Sequence, residues 1–85
     1  NFPNPFTPIT TLSYDLPKDN HVKLAIFDMR GNEVVTLISS NQQAGFKSVQ
    51  WDATDHMGRP VSAGVYLYQI RSGEFVQTKK MVLLK

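Results

Sequence analysis

VYLYQIR, residues 65–71, places Tyr66, Tyr68 and Ile70 at alternate positions, with Val65, Leu67 and Gln69 between them. Successive side chains on a strand point to opposite faces, so the three bulkiest groups share one face. Aromatic and β-branched residues suit that pleated, half-buried surface. The other face is also apolar, at Val65 and Leu67. That predicts a central strand covered on both sides, or one that meets a neighbouring module.

The same period recurs along the chain. TLSYDL (11–16) sets Leu12, Tyr14 and Leu16 against Thr11, Ser13 and Asp15. PKDN (17–20) supplies a turn, and a second strand over 21–28 turns Val22, Leu24 and Ile26 inward. DMRGN (28–32) reads as a short hairpin loop in which Gly31 takes positive φ, leading to EVVTLI (33–38). SSNQQAG (39–45) reads as a polar loop, FKSVQW (46–51) as a strand with Val49 and Trp51 on one face, and 52–64 as the longest connection. SGE (72–74) turns the chain into a last strand over 75–84. No sustained 3.6-residue period with capping signals predicts a helix. Short strands separated by turns every eight to twelve residues or so predict an all-β fold. The expected architecture is an antiparallel immunoglobulin-like β-sandwich of about six to seven strands. Leu12, Tyr14, Leu24, Ile26, Trp51 and Ile70 are the expected core.

The chain has 85 residues, 41% hydrophobic, 11% aromatic and 19% charged, which makes one globular domain over 1–85. A domain this short buries only about 60–65% of its unfolded surface, which disfavours a deep private pocket. With no cysteine, disulfides, thiolate metal sites and thiol nucleophiles are excluded. No apolar run approaches the roughly 18 residues that span a bilayer, so membrane insertion is not expected. The net charge of +2 is too small to call for nucleic acid, although the pI is about 9.1. The basic excess sits in the tail: Arg71, Lys79, Lys80 and Lys85 stand against Glu74 alone. Absence of an initiator methionine and of a signal peptide reads as a piece of something longer.

Catalytic chemistry finds no footing. His21 and His56 lack a partner at a metal-ligand spacing, the serines lack a nucleophile elbow, and the five glycines are scattered among turns. No cofactor is expected. Asp52 and Asp55, followed by Gly58, form the best candidate for calcium. A lone pair of carboxylates supplies too few of the roughly six to eight oxygens calcium takes, so turn formation is the stronger reading. Phe46, Tyr66 and Tyr68 would serve a sugar-binding surface only if exposed together, and a small core needs its aromatics.

NFPNPFTPITTLSYDLP, VKLAIFDMRGNEVVTLI, AGFKSVQWDATDHMGRPVSAGVYLYQI and FVQTKKMVLLK together resemble the type A C-terminal sorting domains of type IX secretion cargo, along essentially the whole chain. The most specific matches are Asn4-Pro5-Phe6, the Asp28–Gly31 turn, Trp51-Asp52, Gly64-Val65-Tyr66 and the run from Lys80 to Lys85. The resemblance implies an immunoglobulin-like sandwich with no enzymatic activity, found in Bacteroidetes and their relatives. It implies an N-terminal cargo domain in cis, recognition by the outer-membrane type IX translocon and cleavage by a surface sortase. The cargo would pass through the periplasm and across the outer membrane to be secreted or held at the cell surface.

Residues 1–8 then read as a stiff, proline-rich lead-in from the cargo, with Phe2 and Phe6 pinning it to the sandwich. Lys79, Lys80, Met81, Val82, Leu83, Leu84 and Lys85 become the export-signal candidates, a strand end that presents lysines and a carboxylate in water. On that reading the tail matters more for export than for folding. The same pattern also resembles the immunoglobulin-like domain of flagellar hook-capping proteins and spacer modules of extracellular hydrolases. Those are structural modules, and a terminal position after a large cargo separates the two resemblances.

Overall fold

The alternation that begins in VYLYQIR builds two facing sheets in a computed structural model, which describes residues 9–84. The strands are β1 (Thr10–Leu16), β2 (Asn20–Asp28), β3 (Glu33–Gln42), β4 (Gly45–Trp51), β5 (Gly64–Ser72) and β6 (Phe75–Leu83). β1 and β4 form a two-stranded sheet, and β3-β2-β5-β6 form a four-stranded one. Every strand pairing is antiparallel. The expected all-β, immunoglobulin-like sandwich is thus present, with six strands among the described residues. The lead-in over 1–8, including Asn4, Pro5 and Phe6, and the final Lys85 lie outside the described residues.

Between the sheets lie Leu12, Tyr14 and Leu16 of β1, Val22, Leu24 and Ile26 of β2, and Trp51 of β4. Tyr66, Tyr68 and Ile70 of β5 and Leu83 of β6 complete that layer. All six residues expected in the core are at most 1% exposed. The polar ends of the buried tyrosines are satisfied locally. Tyr14 donates to Gln42 Oε1, Tyr66 to the Ser62 carbonyl and Tyr68 to the Ser13 carbonyl. Burial pushes the Tyr14 and Tyr66 phenols above their ordinary pKa, and Asp28 raises Tyr66 further.

One expectation needs correction and another is narrowed. The stretch 39–45 is mostly strand, because β3 runs on to Gln42 and pairs Ser39–Gln42 with Asn20–Lys23. β3 is an edge strand, so it needs no apolar outer residues there and its polar composition disguised it. Irregularities after Leu24 and after Ile26 break its register, a common way to blunt an edge against aggregation. The reading of β5 narrows to one of its two alternatives. It is central, between β2 and β6, but its outer face is left open by the described residues. It is therefore not covered twice by them, and the alternative of a neighbouring module stands as an expectation. Val65 remains 37% exposed on the outer face, beside the half-buried Leu67.

Strand registers fix which residues meet at each end. Thr10 pairs with Trp51, Asp28 with Tyr66 and Gly64 with Leu83, and the Trp51 and Tyr66 rings meet edge to face at 5.4 Å. These residues define one end of the sandwich, the Trp51 end.

Candidate functional site

At the Trp51 end the chain makes the same turn twice. Asp28 Oδ1 accepts from the backbone N–H groups of Arg30 and Asn32, at 2.9 and 3.0 Å. Asp55 Oδ1 accepts from those of Met57 and Arg59, also at 2.9 and 3.0 Å. In each turn a glycine three residues on donates to the aspartate carbonyl, and the aspartate N–H donates to the carbonyl four residues on. Gly31 and Gly58 have φ of 90° and 77°, the left-handed region where a side chain is strained. The signal was present as Asp-x-x-Gly at 28–31 and again at 55–58. Reading one as a hairpin loop and the other as a long connection hid the repetition.

The two turns flank an open cleft of about 270 Å³ lined by Asp28, Glu33, Asp55, His56, Val61 and Tyr66, among others. Its carboxylates are already engaged. The Asn32 amide, followed by that of Arg30, holds Asp28 below the usual carboxylate range, with slight burial opposing. The Arg59 amide does the same for Asp55, helped by the Met57 amide and the Arg59 charge. Thr36 Oγ1 and Lys23 lower Glu33 in the same way. The His56 N–H donates to the Val34 carbonyl and ties the long connection to β3. Carboxylates engaged by donors of their own turns, as Asp28 and Asp55 are, serve as turn anchors.

Both depressed aspartates give a pH prediction. Their folded pKa lies below the ordinary value of 3.8, so the stability they add is complete above that value. It is lost as pH falls through the lower, folded pKa. Melting temperature should therefore hold steady from pH 7 to about pH 5 and fall in the acid range. Asp28→Asn with Asp55→Asn should flatten that acid limb. An unchanged limb would show that other groups carry it.

Calcium is the other prediction from this end. Asp55 uses Oδ1 for two amides and Oδ2 for the Arg59 guanidinium at 3.2 Å, while Asp52 Oδ1 accepts from Thr54 Oγ1. Among the described residues no three histidine or acidic side chains converge on a common point. Equal melting temperatures in excess calcium and in chelator, at matched ionic strength, are the expected result. A specific site at a hundred times its dissociation constant would add about 2.7 kcal/mol, and Asp55→Ala would remove it. Such a shift would overturn the reading.

The family-motif residues within the described range gather at this end and build it. Trp51 fills the core and donates from Nε1 to the Thr54 carbonyl at 2.9 Å. Tyr66 packs on it, Gly64 has φ of 150°, and Asp28, Gly31 and Asp52 shape the turns. The sugar-binding alternative loses its strip: Tyr66 and Tyr68 are buried and only Phe46 of the three is exposed.

The tail candidates divide by parity. Lys79, Met81 and Leu83 face inward, while Lys80 and Val82 face outward and Leu84 follows the strand, exposed. Two points differ from expectation. Lys79 does not present its charge to water at a strand end. It lies half-buried, and its ammonium donates to the Ser13 carbonyl at 3.2 Å, the acceptor that Tyr68 also uses. Its side chain therefore bridges β6 to β1, an inward charge at an open sheet edge. Leu83, only 1% exposed, is core and not a free terminus.

Comparison with known proteins follows the fold. No curated protein matches the sequence. The crystal structure of FlgD from P. aeruginosa superposes with a TM-score of 0.73 at 23% identity. The match covers 91% of this chain and 62% of the FlgD chain, so this chain corresponds to only part of that protein. At that identity the likeness speaks for the fold. In sequence, residues 7–81 match the family described as the FlgD Ig-like domain. That span is most of the 85 residues, and the chain belongs to the FlgD Ig-like domain family.

Proposed function

We propose that this chain is a non-catalytic immunoglobulin-like module of a larger extracytoplasmic protein, of the structural kind found in hook-capping-like proteins and extracellular hydrolases. The family match over residues 7–81 carries this reading. The engaged carboxylates of the Trp51 end support it, since Asp28 and Asp55 spend their acceptor oxygens on stiffening their own turns.

A second reading keeps the same module and gives it a finer task. It is the sorting domain of a type IX secretion cargo, read by the outer-membrane translocon and cut by a surface sortase. One observation favours it. β6 is an edge strand, and Lys80, Val82 and Leu84 are exposed along it, open to a receptor without unfolding the sandwich.

One experiment separates the two. A periplasm-directed reporter is fused ahead of residues 1–85 in a host with a working type IX system. The structural module leaves the reporter in the periplasm, whether or not Lys80 and Leu84 are replaced by alanine. Release to the surface or medium that fails in the Lys80→Ala, Leu84→Ala variant, with its melting temperature intact, replaces the first reading by the second.

A further inference from the structure

We propose that the outer face of the four-stranded sheet docks an acidic amphipathic helix of a partner protein. Cross-strand registers set Val82 beside Val65 and Lys80 beside Leu67, with Phe27 next to Leu67 on the following strand. Val82 and Val65 are 58% and 37% exposed, and Leu67 and Phe27 are half-buried. This apolar strip crosses three adjacent strands, about 10 Å at the usual strand spacing, which matches the width of one helix. Helix on sheet is also the ordinary way to cover such a face.

Charge selects the helix. The outer face carries Lys23, Arg71 and Lys80 against Glu33, a net +2, while the other described residues hold five cations and six carboxylates, a net −1. Lys23 is paired with Glu33 at 3.3 Å, whereas Arg71 and Lys80 meet no carboxylate among the described residues. A helix whose leucine stripe is flanked by glutamates therefore fits both the strip and its rim. An anionic membrane is the weaker match, because recruitment there takes clusters of about four to eight cations. Single-stranded nucleic acid lacks its stacking platform, with Phe27 the one phenylalanine, tyrosine or tryptophan on the face among the described residues. The proposal holds whether the module is structural or a sorting domain, and its test involves no export.

The isotopically labelled 85-residue chain is titrated with a capped helical peptide bearing a leucine stripe flanked by glutamates. A peptide with lysines in place of the glutamates and vesicles of mixed phosphatidylglycerol and phosphatidylcholine serve as comparators. Amide shifts should map to β2, β5 and β6, and the lysine peptide should bind at least about tenfold more weakly. Arg71→Glu with Lys80→Glu should reverse that preference, and Val82→Glu should weaken both peptides without unfolding the chain. Equal binding of the two peptides, shifts confined to another surface, or no binding at about millimolar peptide would each overturn the proposal. A response to vesicles alone would overturn it in favour of a lipid surface.

Discussion

Trp51→Ala should cost about 3–5 kcal/mol, the range for deleting a large buried aromatic side chain. Three losses combine. The indole is 1% exposed, and its removal opens a cavity between the sheets at the end where β1, β4 and β5 meet. The edge-to-face pair with Tyr66, at 5.4 Å and 74°, adds about 0.5–1.5 kcal/mol beyond its area. The Thr54 carbonyl loses its Nε1 donor, next to the buried Ala53 with its positive φ of 62°. A domain this size holds only about 0.05–0.15 kcal/mol per residue, so this one change removes a large share of the total. Urea unfolding followed by far-ultraviolet circular dichroism measures it without relying on the lost fluorophore. Trp51→Phe keeps most of the packing and should fall well short of the alanine loss. An alanine variant within about 1 kcal/mol of the parent would mean the two sheets do not depend on this side chain.

Why Trp51 was legible and the tail was not comes down to how each residue announces itself. A tryptophan alternating with Val49 in a short strand has one economical place to go. Likewise Leu12, Tyr14, Leu24, Ile26 and Ile70 follow a strict period of two, and all were found in the core. β3 failed that test beyond Ile38, since SSNQ carries no alternation and only its partner strand β2 makes it a strand. The twin aspartate turns were visible as residues but not as a repeat, because 28–32 sits in a tight hairpin and 55–59 in a long connection. Lys79 was opaque for a different reason. Lysine reads as solvent-facing, and only the approach of β1 supplies the Ser13 carbonyl that turns it inward. Charge arithmetic placed the basic excess in the tail correctly, yet it carried no information on which way each cation points.

That parity governs what the tail does for stability. Leu83→Ala should cost about 2–5 kcal/mol, because the leucine is 1% exposed and cutting it to a methyl group leaves a cavity. Lys80→Ala and Leu84→Ala should each stay within about 0.5 kcal/mol of the parent, as exposed positions usually do. Lys79→Met falls between them. The methionine keeps the apolar stem, while the Ser13 carbonyl loses one of two donors and retains the Tyr68 hydroxyl. A loss of about 0.5–1.5 kcal/mol is expected, the net worth of one intramolecular hydrogen bond. The ranking has a practical consequence for the export assay. A truncation after Lys80 would take Met81 and Leu83 out of the packed layer and so unfold the end of β6. A secretion defect in that truncation cannot distinguish a missing signal from a misfolded module, whereas Lys80→Ala with Leu84→Ala can. Thermal and urea unfolding of all four single variants test the order. Should Leu83→Ala prove as mild as Leu84→Ala, β6 is not locked into the core at its end, and the tail regains the loose terminus first expected of it.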